Sequence, residues 1–293
     1  MSSKGTSGAG ETPALQNLWR AQIVAILRLE MKKRFLTRRG FWVYFLAFAP
    51  VLIFAFHSLL ELSHGVTGDL GEDMHVFAAV FQFFFIRLAV FFGCVGIFVN
   101  LFRGEMVEKS LHYYLLAPLR REVLVVGKFL SGLLAAAVIF GSSALLQFAA
   151  IFSSFRSIAL REYLFHAHGA QQVAAYLGVT LLACVGYGSV FLIAGLLFRN
   201  PLIPTVIVLV WEAASGLLPA LLQKLSVIFY LKSLCPGGIS IDLDRGSLLA
   251  LIAVNPTPAS PPTAILGLLL VSAFLLALAC VQARGLQIDY GTE

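Results

Sequence analysis

Six stretches of mostly apolar residues divide the chain, each about as long as a membrane-crossing helix, and the polar residues collect between them. The runs lie near Phe41 to Leu60, Val76 to Phe102, Val123 to Phe152, Val173 to Phe198, Leu202 to Ala220 and Thr263 to Ala283. A helix needs about 20 mostly apolar residues to cross the hydrocarbon core, and in lipid its backbone polar groups have to be satisfied within the segment. The pattern therefore predicts an all-α, polytopic membrane protein with six transmembrane helices. A transmembrane barrel would instead carry strands of about ten residues with alternating polarity, which these runs lack. Composition points the same way. Of 293 residues, 59% are hydrophobic and 12% charged, too few polar side chains to cover a soluble globule of that size.

The ends of the chain read differently from its middle. Residues 1–14 are polar and glycine-rich and predict a disordered cytoplasmic tail. Over 15–39, Leu15, Trp19, Ile23, Ile26 and Leu27 recur at helical spacing and a basic run follows. That is the pattern of an amphipathic helix lying in the membrane interface, with docking on another subunit as the alternative. No cleavage-site pattern is present, so this segment is not read as a signal peptide. Residues 40–284 form the transmembrane domain, and 285–293 a second cytoplasmic tail.

Lysine and arginine set the orientation, because cytoplasmic loops carry the positive excess. With the N-terminus inside, 15 of the 21 basic residues fall on the cytoplasmic side, among them Lys32, Lys33, Arg34, Arg38, Arg39, Arg120, Arg121 and Arg284. Six spans then return the C-terminus to the cytoplasm of a cell membrane. The net charge of +6 is explained by anionic headgroups at that surface, which points to membrane lipid rather than nucleic acid as the partner of the charge.

Little conventional chemistry is visible. Cys94, Cys184, Cys235 and Cys280 have no paired spacing and are read as packing residues. The segment Glu61 to His75, with Glu61, Asp69, Glu72 and Asp73, is read as a solvated acidic loop, a cation site being the alternative; no metal site is assigned. His166 and His168 lack a neighbouring carboxylate or cysteine cluster. The outer segment 221–262, with CPGG at Cys235–Gly238 and NPTPASPP at Asn255–Pro262, is too apolar for a plain loop and predicts short helices dipping into or capping the membrane. Asn200 is placed to cap the fifth span and Pro201 suits its first helical position.

The stretch EMVEKSLHYYLLAPLRREVLVVGK, Glu105 to Lys128, stands apart. Val107, Leu111, Tyr114 and Leu115 fall on one helical face, while Glu105, Glu108, Lys109 and His112 fall on the other. Pro118 disfavours helix at the residue before it and redirects the chain. The prediction is a short helix, 103–118, lying across the cytoplasmic surface. Its order of acidic residues, Ser110, Leu115-Leu116, Pro118, Arg120-Arg121 and Gly127-Lys128 closely resembles that of ABC-2 type transporter permeases. Threonine is more usual where Ser110 stands; the hydroxyl is kept.

That resemblance implies that 103–118 is a coupling helix docking on a separate ATP-binding cassette ATPase, present in two copies, with Glu105, Glu108, Lys109, Ser110, Leu111, His112, Leu115, Pro118, Arg120 and Arg121 as the contact set. It also implies a dimer, with a second copy or a sister permease, and export of an amphiphilic cargo. ATP and magnesium would belong to the ATPase, because no G-x-x-x-x-G-K-[ST] occurs in this chain. No cofactor and no catalytic residue are assigned, and the chain is not read as an enzyme.

Two charges lie inside the predicted spans, Arg87 in the second and Glu212 in the fifth. Both come out near mid-membrane by residue count, at about 1.5 Å per residue, which places them to pair as a buried salt bridge; the resemblance to ABC-2 type permeases implies in addition that they sit near the route between two half-transporters. A secondary transporter driven by an ion gradient through Arg87 and Glu212 is the competing class, although no inverted repeat is evident. An intramembrane enzyme is disfavoured, because Gly186-Tyr187-Gly188-Ser189 has no histidine at matching depth and no H-E-x-x-H occurs.

Overall fold

The computed structural model describes residues 22–28, 41–64, 70–107, 120–153, 155, 157–166, 169–198, 200, 202–236 and 259–285. Among them every regular element is helical. Five helices are long and apolar enough to cross a membrane: α2 (Phe41–His64), α3 (Gly71–Gly104), α4 (Arg121–Phe152), α6 (Gly169–Leu197) and α10 (Pro261–Arg284). The chain is thus an all-helical, multi-pass membrane protein. Shorter helices are α1 (22–28), α5 (Ser157–His166), α7 (Leu202–Ala214), α8 (Ala220–Gln223) and α9 (Val227–Leu234).

The long helices divide into a centre and a periphery. In α3, α4 and α6, 61% of the most apolar window is buried within the protein, against 22% in α2 and α10; the outer pair therefore presents most of its apolar surface outward. Helix α6 packs on α4, α10 and α3, and α2 packs on α4 and α3. The bundle has two ends. At what we term the basal end lie the C-termini of α3, α6 and α10 and the N-terminus of α4. At the distal end Ser58 of α2 hydrogen-bonds Ser153 beyond α4, 2.9 Å apart.

Aromatic side chains fill the distal half of the centre. Phe77 lies 4.4 Å from Phe148 and 5.0 Å, edge to face, from Tyr176, while Phe81 lies 4.7 Å from the same tyrosine. Such pairs add about 0.5–1.5 kcal/mol each beyond area burial. Helix α3 contributes Phe77, Phe81 and Phe85 to this layer, and it is π-helical over Phe81–Val90 and Val95–Val99. Near the basal end α3 and α6 approach backbone to backbone. A Cβ on Gly195 would sit 2.9 Å from the Val99 carbonyl oxygen and 3.0 Å from its Cα, so only glycine permits this crossing.

The expected fifth span, Leu202 to Ala220, is not one helix. It starts as read, with the Leu202 amide donating to the Asn200 side chain at 3.1 Å. It stops at Ala214, however, after 13 residues, about 20 Å of rise and short of the ~30 Å core. The reason is local. Ser215 turns its hydroxyl back on the Glu212 carbonyl at 2.8 Å, Gly216 follows, and Pro219 holds Leu218 extended at φ −82°, ψ 154°, as a residue before proline prefers. The chain makes a detour over 215–226 and resumes as α9. Val227 and Leu268 of α10 then border Gly186 in mid-α6, and beyond the end of α9 Pro236 accepts from the Tyr176 hydroxyl in the distal part of α6. Helix α9 thus climbs the distal half of the bundle.

Of the expected amphipathic helix 15–39, residues 22–28 are described and helical. Ile26 is buried and packs against Gly127 of α4, whereas Val24 is exposed. Of the outer segment 221–262, the described part contains α8 and α9, and 237–258 lies outside the described residues.

Candidate functional site

Glu212 sits in the last turn of α7, 8% exposed. Its carboxylate does not form an ion pair with Arg87. Instead it accepts from the Ser226 hydroxyl at 2.8 Å, the Val227 amide at 3.0 Å and the Ile228 amide at 2.8 Å. These are the N-cap and first two residues of α9, whose unmet amides carry the positive end of the helix dipole. Sequence position gives depth but not direction around the helix, and the donors of α9 are nearer than the guanidinium. Arg87 projects from the first π-helical stretch of α3, 5.5 Å from the centroid of the Phe83 ring. It is close enough for its charge to act on Glu212, on buried Tyr187 and on Lys232 in the last turn of α9. The structure therefore brings both predicted intramembrane charges into one neighbourhood, arranged about a broken helix.

A second constellation occupies the basal end, in the first two turns of α4. Arg121 donates to the Arg284 carbonyl at 2.6 Å and, more weakly, to that of Ala283 at 3.5 Å. A cation at the C-terminus of a helix complements its dipole. Glu122 accepts from Arg284 in turn, at 2.6 Å from Nε and 2.5 Å from Nη2. Two turns in, Lys128 is fully buried, with its ammonium 2.9 Å from the Leu101 carbonyl of α3 and 5.3 Å from the Phe102 ring centroid. A buried ammonium needs such partners, since an uncompensated charge there costs several kcal/mol, roughly. Gly127 beside it receives Ile26 of α1. The start of α4 is thereby fastened to α10, α3 and α1 at once.

No family model and no curated protein matches the chain.

Among the ten residues expected to contact an ATPase, Glu105 lies in the helical extension of α3 that runs to Val107. Glu108, Lys109, Ser110, Leu111, His112, Leu115 and Pro118 lie outside the described residues. Arg120 is exposed at the N-cap of α4, and Arg121 is engaged with the end of α10 as above. Sequence reasoning missed the roles of Lys128, Glu122 and Ser226. Lys128 carried a signal, a single lysine in the long run of uncharged residues that follows Glu122. Glu122 and Ser226 carried none, because their partners are about 160 and 14 residues away in sequence.

Proposed function

We propose that this chain is the permease subunit of an ATP-binding cassette transporter, an exporter of an amphiphilic cargo, driven by two copies of a separate ATPase that dock on 103–118. The reading is supported first by the resemblance of Glu105 to Lys128 to the coupling segment of ABC-2 type permeases. The observation that carries it physically is the fastening of α4. A force applied to 103–118 enters α3 at one end of the segment and α4 at the other. Lys128 ties those two helices together, and Arg121 links the start of α4 to the last carbonyls of α10, with Glu122 and Arg284 setting its position. Rigid-body motion needs stiff joints of this kind.

In this reading the basal end is cytoplasmic, both termini are inside a cell membrane, and α7 with α9 makes up a sixth, discontinuous span. The outward apolar faces of α2, α7 and α10 contact lipid and a second permease copy. Arg120, Glu108 and Lys109 face the ATPase. A pull-down of the tagged chain from solubilised native membranes tests this. A subunit bearing a phosphate-binding loop is expected to copurify with the unaltered chain and to be lost from the Glu108→Arg, Lys109→Glu form. Absence of any such subunit from both would overturn the reading.

One observation favours a second reading, a gradient-driven transporter. Half-helices whose N-termini end at mid-membrane build the ion and substrate sites of such proteins, and α9 starts in this way at Glu212 with Arg87 nearby. That reading predicts no associated ATPase and cargo movement that collapses with a protonophore.

A further inference from the structure

At the distal end, away from both constellations, three side chains converge from two helices. His57 and Glu61 lie one turn apart on α2, and Asp73 lies in the first turns of the helix that opens α3. One ligating atom from each falls within 4.8 Å of the other two. His57 Nε2 is 3.6 Å from Glu61 Oε1 and 3.5 Å from Asp73 Oδ1. These separations exceed those of good hydrogen bonds, about 2.7–3.2 Å. They match the edge of a metal polyhedron, since two donors at about 2.1 Å from an ion and at a tetrahedral angle lie roughly 3.4 Å apart.

A second feature is independent of that convergence. Glu61 Oε2 is sealed from solvent and has no hydrogen-bond partner among the described residues. An anionic oxygen held dry without a donor is costly; Oε1 is the oxygen that faces His57, so an ion bound through both carboxylate oxygens would satisfy Oε2. The exposures suit entry from one side: the imidazole is 51% exposed at the mouth, while Glu61 and Asp73 are 14% and 12% exposed beneath it.

We propose that His57, Glu61 and Asp73 bind one divalent transition-metal ion, of the zinc or manganese class, with water completing the shell. One imidazole and two carboxylates, with no sulfur, select such ions. Magnesium and calcium prefer all-oxygen sites. The ion would tie the distal end of α2 to the start of α3 across 65–69. The inference is independent of the transport reading and stands or falls without it.

The test is zinc titration of the full-length chain, purified in detergent with a tag that lacks histidine and stripped with a chelator. One zinc per chain is expected, with magnesium and calcium in excess failing to displace it. His57→Gln and Glu61→Gln should each weaken binding at least tenfold. Failure to bind zinc, or binding undiminished in both variants, overturns the site. Should the variants not fold, X-ray absorption of the unaltered zinc-loaded chain decides: a single imidazole among oxygen donors supports it, and two or more imidazoles or any sulfur refute it.

Discussion

Removing the Glu212 carboxylate tests the broken span most sharply. Glu212→Ala deletes the acceptor of two backbone amides and one hydroxyl, all buried. The Ser226 hydroxyl can rotate to a nearby carbonyl, so the loss falls mainly on the amides of Val227 and Ile228. At about 1–3 kcal/mol for each buried donor left unmet, α9 should lose roughly 2–6 kcal/mol of its resistance to local opening. Glu212→Gln keeps one acceptor but turns an amide nitrogen toward the same donors, and should cost about 1–3 kcal/mol. Hydrogen–deuterium exchange reads this directly, because local opening sets amide exchange and each ~1.4 kcal/mol is tenfold in rate. Peptides covering 226–234 should exchange about thirtyfold faster or more in the alanine variant, and less so in the glutamine one. Peptides from α6 provide the internal reference and should hardly change. Unchanged exchange over 226–234 in Glu212→Ala would refute the capping role, as would an equal rise throughout α6.

Three further outcomes follow from the packing. Lys128→Met keeps the stem but leaves the Leu101 carbonyl without its ammonium partner, and should lower the detergent-solubilised melting temperature, reflecting about 1–3 kcal/mol. Gly195→Ala should destabilise by roughly 1–3 kcal/mol through overpacking against the Val99 backbone; Gly178→Ala, where an added Cβ meets nothing within 4 Å, should be neutral in the same assay. The exposed Glu122–Arg284 pair should give a coupling of no more than about 1 kcal/mol in a double-mutant cycle read by thermal unfolding, which would mark it as a locator of α10 rather than a source of stability.

The long helices were legible because apolar run length is a bulk property that survives errors in any one residue. Asn200 was legible as a cap for the opposite reason, since capping depends on only a few neighbouring residues. The end of α7 was written in Ser215, Gly216 and Pro219, but the apolar average across Leu202 to Ala220 hid those three breakers. The partner of Glu212 was not legible, because a span count gives depth and leaves the azimuth open. The same holds at the basal end, where Arg121 reads as a cation facing the cytosol until the C-terminus of α10 is found beside it. Glu61 and Asp73, read as part of a solvated acidic loop, lie instead on helices, because the helix of α2 runs on to His64 and the next starts at Leu70, and their meeting at His57 depends on how α3 sets out from α2.

The central claim, that a separate ATPase acts through 103–118, is tested most directly by placing a photo-crosslinking amino acid at Leu111 and irradiating intact cells. The trapped adduct should contain a protein with a phosphate-binding loop, and its yield should fall when Glu108→Arg and Lys109→Glu are added. An adduct with lipid alone, or with proteins lacking any nucleotide-binding sequence, would contradict it.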